Sequence, residues 1–350
     1  GDFHPPLYYL FLKLWSNIFG YSETVLRLPS VIFGVLTVYF LYKIGGKKAA
    51  ILMAVNPLAI YYSQEARMYS MAMMFVVMAV YFFTNHKRKL FVTTFLAALY
   101  TDYVPWLMIP VFLGRDLLSV AFGLLPLAPL ALDQARLILQ SSESSWGNIL
   151  GRADLKNLFL VPAKFIFGRI SLPIGVYGIF TIVYGFFLKS SKNLIFWKWL
   201  LIPIVLGFIL SFFIPIFTYF RFLFVLPAFI LLLSTGKKWQ VTIIFVISLI
   251  SLIYFNLNPQ FWREDWRAAA TYINSTPGKV IMPNMAQSAG LQYYGAIINN
   301  KENPTYLIRY VQEIFDPEDS LRIHLEKSGF KKTEEKSFNG VLVWKYENRN

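Results

Sequence analysis

The chain has 350 residues, of which 56% are hydrophobic, 18% aromatic and only 15% charged, and its mean hydropathy is +0.50. Soluble domains carry about 25% charged residues, so this composition excludes an ordinary soluble protein and predicts an integral membrane protein. The chain has no cysteine, which excludes disulfides, thiolate metal sites and cysteine nucleophiles.

The net charge of +14 is unevenly distributed. Residues 1–257 contain 21 Lys and Arg against 8 Asp and Glu, whereas residues 258–350 contain 12 against 11. The basic excess falls in short connectors between apolar runs, where positive charge sets the orientation of a membrane protein. We therefore expect a lipid bilayer, and no nucleic acid, as a partner of this chain.

The chain opens with Asp2 and His4 just before the diproline Pro5-Pro6. Proline suits the first turn of a helix, so both ionisable residues lie in the segment that leads into that helix. The helix predicted over residues 5–19 is amphipathic, with one apolar stripe of Leu7, Leu10, Phe11, Leu14, Trp15 and Ile18 and a polar side of Tyr9, Lys13, Ser16 and Asn17. We interpret it as a helix lying in the membrane interface.

Because the chain begins with Gly1 and no signal sequence, we expect it to be truncated at its N-terminus.

Ten apolar runs follow, at residues 24–44, 49–62, 68–84, 90–100, 104–113, 117–132, 172–188, 194–217, 222–235 and 241–257. Residues 90–113 form either two short helices that turn at Asp102 or one span. With the turn, all Lys- and Arg-rich connectors fall on one side, which the positive-inside rule makes cytoplasmic. The sequence thus predicts an all-α, polytopic, multi-pass protein of the cell membrane, with about ten spans and with both its opening segment and its C-terminus outside.

From residue 258 the composition becomes that of a soluble protein. The pattern predicts helices at 264–275 and 317–328, a strand at 279–282, and two strands over 331–346 that turn at Asn339-Gly340. We predict three regions: an outer-face segment at 1–22, a membrane domain at 23–257 and a small extracytoplasmic α/β domain at 258–350.

The polar residues that this topology places outside are Asp2, His4, Glu65, Arg67, Asp102, Arg221 and the long connector 133–171. A pump or channel would instead place ionisable residues along a path through the membrane. The one-sided distribution favours an enzyme that works at the outer leaflet.

Each of these residues also has an ordinary structural interpretation. The loop Tyr61–Tyr69 is either an interfacial cap with aromatic anchors or a phosphate-binding loop built on Arg67. Arg221 is alternatively a snorkelling side chain, and Asp102 a cap of the next helix. Three scattered histidines are too few for a metal site, so we predict no protein metal ligands and no certain cofactor, and leave a divalent metal open.

Taken in order, the motifs HPPLYY, FGYSETVLRLPS, YYSQEARMYS, YTDY and YFRFLFVLP resemble the C superfamily of polyprenyl-phosphate-sugar-dependent glycosyltransferases. These are the relatives of protein O-mannosyltransferases and of the lipid A aminoarabinose transferase. The resemblance runs from Asp2 to about Pro227, and the tail with Glu264-Asp265-Trp266-Arg267 is similar to tails in this group.

This resemblance implies an inverting transfer of one hexose or pentose from a polyprenyl monophosphate to a hydroxyl of a lipid, glycan or protein acceptor. It implies that the basic residue before the diproline, here His4, faces the donor phosphate. From the outer-face charges we also expect Glu65, Arg67, Tyr69 and Arg221 to bind the donor phosphate or substrate. In the family a carboxylate of an Asp-Glu pair in the first outer loop is the general base. That pair and the first span are missing here, so Asp2 and Asp102 are the remaining catalytic candidates. The alternatives are a transporter or flippase of lipid-linked saccharides and an inactive, truncated scaffold.

Overall fold

The computed structural model describes residues 4–112, 114, 116–140, 154–188, 191–297 and 303–348. The chain divides into two compact units, Gly1–Tyr254 and Phe255–Asn350. The described part of the first unit is helical, and the second is built on a β-sheet. The fold is therefore mostly helical with a small C-terminal sheet, as the sequence predicted.

The α-helices that begin in the first unit are, in chain order, α1 (Leu7–Phe19), α2 (Glu23–Ala54), α3 (Pro57–Ser63), α4 (Tyr69–Thr84), α5 (Arg88–Thr101), α6 (Asp116–Leu124), α7 (Ala128–Gln140), α8 (Leu155–Phe167), α9 (Ile174–Leu188), α10 (Leu194–Leu210), α11 (Leu226–Ser234) and α12 (Lys238–Leu257). Short 3-10 helices lie at Val104–Val111, Leu125–Leu127 and Tyr219–Val225.

Among the described residues, three helical stretches are long and apolar enough to cross a membrane: Glu23–Ala54, Asp116–Leu137 and Lys238–Leu257. Four shorter helical stretches are also apolar, at Tyr69–Thr84, Ile174–Leu188, Leu194–Leu210 and Tyr219–Ser234. These apolar helices favour a membrane protein. The count of ten spans stays a prediction.

The boundaries between the first two predicted spans differ from the structure. The backbone leaves helical geometry at Gly46, whose φ is 73°, within the Lys-containing connector that the sequence predicted. The predicted run 49–62 is wrong as one segment, because it is interrupted at Val55 and Asn56. The Asn56 side chain accepts hydrogen bonds from the amides of Leu58 and Ala59, which starts α3 as a new helix.

The ambiguous stretch 90–113 breaks at Asp102, as the placement of the Lys- and Arg-rich connectors indicated. Helix α5 ends at Thr101, Asp102 is extended, and a 3-10 helix begins at Val104. The segment 133–171, by contrast, was expected to be a connector and instead contains the end of α7 and all of α8. Lys156, Asn157 and Lys164 interrupt the apolar pattern of α8, which is why its helical character did not stand out.

Helix α1 packs on α2 through part of its apolar stripe. The Phe11 ring lies 5.5 Å from that of Phe33, and Trp15 Nε1 donates to the carbonyl of Val25 at 2.8 Å. The stripe members Leu10, Leu14 and Ile18 remain exposed. The predicted polar side is wrong at Ser16, which is buried, and its hydroxyl is satisfied there by donating to the Lys13 carbonyl at 3.1 Å.

The core of the first unit is centred on α4, most of whose side chains are buried. This helix packs against α2, α5 and the 3-10 helix Tyr219–Val225. Its Met, Val and Ala side chains are apolar on all sides, which is typical of a helix surrounded by others. The N-terminal end of α4 is therefore held next to the segment that carries Arg221.

The second unit contains helices α13 (Trp266–Ser275), α14 (Ala289–Tyr293), α15 (Gln312–Phe315) and α16 (Ser320–Lys327), and strands β1 (Lys279–Ile281), β2 (Thr305–Ile308), β3 (Phe330–Phe338) and β4 (Val341–Asn348). The strand order is β1-β2-β4-β3, with β1 parallel to β2 and the other pairs antiparallel.

The sequence predicted the β3–β4 hairpin correctly, including its turn. Asn339 and Gly340 both have positive φ, 47° and 98°, the geometry that favours Asn-Gly in two-residue hairpins. Strand β2 was missed because it is only four residues long. Separate apolar clusters flank the sheet, one around Tyr306, Ile308 and Val343 and another around Leu307 and Tyr346.

Candidate functional site

The predicted loop of Glu65, Arg67 and Tyr69 is fixed to the helices on both sides of it. The hydroxyl of Ser30 donates to the backbone carbonyl of Glu65, and the hydroxyl of Ser70 donates to that of Tyr62 at 2.9 Å. These bonds satisfy backbone groups that the short turn leaves without helical partners. Within this loop Glu65 is buried while the Arg67 side chain is exposed.

Helix α1 reaches the same loop through Tyr8. This side chain is fully buried, and Glu65 and Arg67 are among the charged groups that act on its hydroxyl. The diproline start therefore lies against the loop between α3 and α4. The sequence predicted that these motifs share one face, and the structure makes them neighbours.

An aromatic cluster joins this loop to the segment carrying Arg221. The ring of Tyr69 lies 5.2 Å from that of Tyr62 and 5.6 Å from that of Phe220. Arg221 follows directly and donates from Nη1 to the Pro215 carbonyl at 2.7 Å. The Tyr69 hydroxyl interacts electrostatically with Arg67, Asp102 and Arg221, so all three charged groups lie near it.

His4 and Asp102 form a pair of unequal exposure. His4 Nδ1 lies 4.0 Å from Asp102 Oδ1, and the side chains are 30% and 4% exposed, respectively. Asp102 also accepts a hydrogen bond from the Val104 amide at 3.2 Å, so the predicted helix-capping role is present as well. Burial raises the pKa of Asp102, and the charge of His4 acts in the opposite direction.

Gln134 connects this pair with α7. Its Nε2 donates to the His4 carbonyl at 3.5 Å, and its Oε1 accepts from the Tyr103 hydroxyl at 2.6 Å. Gln134 is itself buried, so these contacts hold the diproline segment beside the residue that follows Asp102. Sequence reasoning missed this role because Gln134 lies in the segment interpreted as a connector.

The structure brings together six of the seven residues that the sequence predicted for the site: His4, Glu65, Arg67, Tyr69, Asp102 and Arg221. Asp2, the other catalytic candidate, lies outside the described residues. In the described ranges there is no group of three or more His, Asp, Glu or Cys side chains placed to hold a metal ion.

Sequence reasoning also missed Arg169 and Lys164. Arg169 is half-buried, its Cζ lies 5.0 Å from the Tyr61 ring, and Glu65, Tyr62 and Tyr219 are electrostatic neighbours. Lys164 is buried one helical turn before the end of α8. The signal was present in the sequence as two cations among apolar residues, in Ala163-Lys164-Phe165-Ile166-Phe167-Gly168-Arg169.

Around the Tyr62 and Tyr69 rings, cationic side chains outnumber carboxylates among the described residues. Arg67, Arg169 and Arg221 face the acids Glu65 and Asp102, and His4 adds a titratable group. Arginine is well suited to phosphate because its planar fork of donors binds two oxygens at once. The arrangement can hold a phosphate anion and, through His4 and Asp102, accept a proton.

Residues 3–114 match the family model of the dolichyl-phosphate-mannose-protein mannosyltransferases. The matched segment covers about a third of the chain and includes His4, Glu65, Arg67, Tyr69 and Asp102. This match confirms the resemblance to the C superfamily and supports a membrane glycosyltransferase. No curated protein and no solved structure matches the chain.

Proposed function

We propose that this protein is a membrane glycosyltransferase that moves one sugar from a polyprenyl monophosphate carrier to an acceptor hydroxyl at the outer face, with inversion of the anomeric carbon. The observation that carries this proposal is the convergence of the His4–Asp102 pair with Arg67 and Arg221 around Tyr69. An acid–base pair beside clustered arginines is the arrangement that displacement of a phosphate ester requires.

In the proposed reaction, the acceptor oxygen attacks the anomeric carbon while the bond from that carbon to the phosphate oxygen breaks. A single displacement of this kind inverts the configuration. The acceptor loses its proton, and the departing polyprenyl phosphate gains negative charge. One end of the site must therefore accept a proton, and the other must stabilise an anion.

The proton-accepting end is assigned to His4 and Asp102. His4 is the more exposed member, so it is the group that an acceptor hydroxyl reaches, and Asp102 behind it stabilises the imidazolium that forms. Their 4.0 Å separation is longer than a hydrogen bond, and such contacts often shorten only when the substrate binds. Asp2, which the sequence also predicted as a catalytic residue, stays a proposal on the resemblance alone.

The anion-stabilising end is assigned to Arg67 and Arg221. Arg67 is exposed and interacts with the Tyr69 hydroxyl, which also interacts electrostatically with Arg221. Two guanidinium groups can share the donor phosphate, and Glu65 limits the net charge of the site when it is empty. Apolar side chains of α1 that remain exposed, Leu10, Leu14 and Ile18, offer a surface for the polyprenyl tail.

The proposal is tested by supplying purified protein in detergent with a panel of polyprenyl-phosphate sugars and measuring the release of polyprenyl phosphate. We expect turnover with one donor class and its loss in the double variant Arg67→Ala/Arg221→Ala. Absence of turnover with every donor, together with no binding of polyprenyl monophosphate, would rule out the proposed function.

A further inference from the structure

Lys164 and Arg169 have no part in the proposed reaction, yet both cations lie at the edge of the same site. Burying a lysine without a compensating role is costly, so its position needs an explanation. The hydrogen bonds of Lys164 are directed at the segment that carries Arg169. That segment begins at Gly168, directly after α8.

A network of polar groups fixes this segment. Lys164 Nζ donates to the Ile170 carbonyl at 2.7 Å and to the Tyr177 hydroxyl at 3.1 Å. The Tyr177 hydroxyl donates to the Ile170 carbonyl at 2.5 Å and accepts from the Leu172 amide at 3.0 Å. The backbone that directly follows Arg169 is therefore held by buried groups that α8 and α9 supply.

A second contact places the segment beside the site. Asn56, which starts α3, donates from Nδ2 to the Phe165 carbonyl at 2.8 Å. Gly168 has a φ of 65° and lies so close to Pro57 that a Cβ at this position would be 2.8 Å from the Pro57 Cβ. Helix α3 is thus joined to the end of α8, and Arg169 comes to lie over Tyr61.

The Arg169 side chain itself is only partly engaged. Its Cζ lies 5.0 Å from the centre of the Tyr61 ring, and within the described part of the chain its guanidinium forms no hydrogen bond or ion pair. The backbone is fixed while donors of the side chain remain available. Such a pre-positioned arginine with unused donors is suited to an anion, because binding then costs little conformational entropy.

We propose that Arg169 is a third donor-phosphate-binding arginine, and that Lys164 and Tyr177 are positioning residues that hold its backbone. This inference rests on the proposed function, because the anion is taken to be the phosphate of the polyprenyl donor. Arg169 lies over the Tyr61 ring and has Tyr62 and Tyr219 as electrostatic neighbours, whereas Arg67 and Arg221 are electrostatic neighbours of Tyr69. The phosphate then sits between arginines that come from three separate segments of the chain.

The experiment measures binding of a long-chain polyprenyl monophosphate to the purified protein in detergent, with the uncharged polyprenol as the reference ligand. Arg169→Gln is expected to weaken phosphate binding about tenfold or more, the effect of losing a charge-assisted hydrogen bond, and to leave polyprenol binding unchanged. Arg169→Lys is expected to restore part of the affinity. Lys156 is an exposed cation on helix α8, which precedes Arg169, so Lys156→Gln is the control and should bind as the parent does.

The positioning role is tested by a double-mutant cycle. Tyr177→Phe should weaken phosphate binding severalfold in the parent protein and have no further effect in the Arg169→Gln background, since it acts through Arg169. Equal effects in both backgrounds would show a general structural role and overturn the assignment of Tyr177.

Two failures are distinguishable. If the parent protein binds monophosphate no better than polyprenol, the proposed function fails and this inference with it. If the parent binds monophosphate and Arg67→Ala abolishes that binding while Arg169→Gln does not weaken it, only the inference about Arg169 is overturned. A lower melting temperature of Arg169→Gln at unchanged affinity would assign Arg169 to structure alone.

Discussion

His4 Nδ1 and Asp102 Oδ1 lie 4.0 Å apart, although helices α1 to α5 separate the two residues along the chain. The contact exists because α1 begins directly after the diproline and α5 ends directly before Asp102, and both ends meet near the loop between α3 and α4. His4 contributes the more exposed side chain and Asp102 the buried one. A substitution at Asp102 should therefore act on the reaction through His4.

Asp102→Asn keeps the size of the side chain and an oxygen for the Val104 amide, but it removes the charge behind His4. We expect turnover to fall about 100-fold or more, within the range for loss of general acid–base catalysis, while binding of polyprenyl monophosphate is retained. His4→Gln should have a similar effect, and the double variant should be no worse than either single variant. Steady-state kinetics at saturating donor measure this.

Asp133→Asn is the control for this experiment, because Asp133 is an exposed acid on α7 that pairs only with its neighbour Arg136 in the described structure. If His4→Gln instead weakens donor binding and leaves turnover at saturating donor intact, His4 belongs to the phosphate-binding end, as the family resemblance implies.

Arg67→Ala is expected to weaken binding of the donor far more than Lys13→Ala does. Both residues are exposed cations, but Arg67 lies in the site and Lys13 lies on the exposed side of α1. Turnover rates measured over a range of donor concentrations should give a raised KM for the donor in Arg67→Ala and an unchanged one in Lys13→Ala. Equal effects on the KM would show that donor binding depends on the overall positive charge of the protein and not on the position of Arg67.

Gly168→Ala is expected to lower the free energy of unfolding by about 1 kcal/mol or more, because an L side chain is strained at a φ of 65°. The added Cβ would also lie 2.8 Å from the Pro57 Cβ, which is too close. The adjacent Arg169 should therefore shift, and monophosphate binding should weaken. Thermal melting and ligand titration measure the two effects.

The matched control is Gly178→Ala. Gly178 lies within α9, and a Cβ added there would have no heavy atom within 4 Å, so alanine should be neutral or stabilising at this position. If Gly168→Ala melts and binds like the parent, the close packing of Gly168 on Pro57 has no energetic consequence.

Lys164 makes the stability of the protein depend on pH. Burial, followed by the nearby charge of Arg169, lowers the pKa of Lys164 from its usual 10.5 to about 8 in the folded protein. Between these two values the unfolded chain holds a proton that the folded protein has released, so stability should rise with pH across this window. From about pH 7.5 to about pH 9.5 the gain is roughly 2 kcal/mol.

Lys164→Met should lose this pH-dependent gain, and Lys156→Met, an exposed change on the same helix, should keep it. Melting temperatures in detergent at several pH values between these limits provide the measurement. An equal rise of the melting temperature in Lys164→Met and in the parent would contradict the assignment of the effect to Lys164.

Local chemistry was sufficient to predict several elements. The Asn339-Gly340 turn, the break at Asp102 and the helix after the diproline each follow from the conformational preferences of a few adjacent residues. Helix α8 and strand β2 were missed for opposite reasons. The first has cations that interrupt its apolar pattern, and the second is too short to establish a period.

The sequence by itself indicated a membrane glycosyltransferase and the candidate groups of its site, because hydropathy and motif order do not depend on how distant segments pack. It supplied His4, Glu65, Arg67, Tyr69, Asp102 and Arg221 as candidates. Only the tertiary structure decided which of them meet, that Asp102 is buried beside His4, and that Arg169 has Glu65 as an electrostatic neighbour. Those relationships depend on contacts such as Asn56 with Phe165 and Gln134 with His4, which join segments far apart in the chain. No local pattern encodes such contacts.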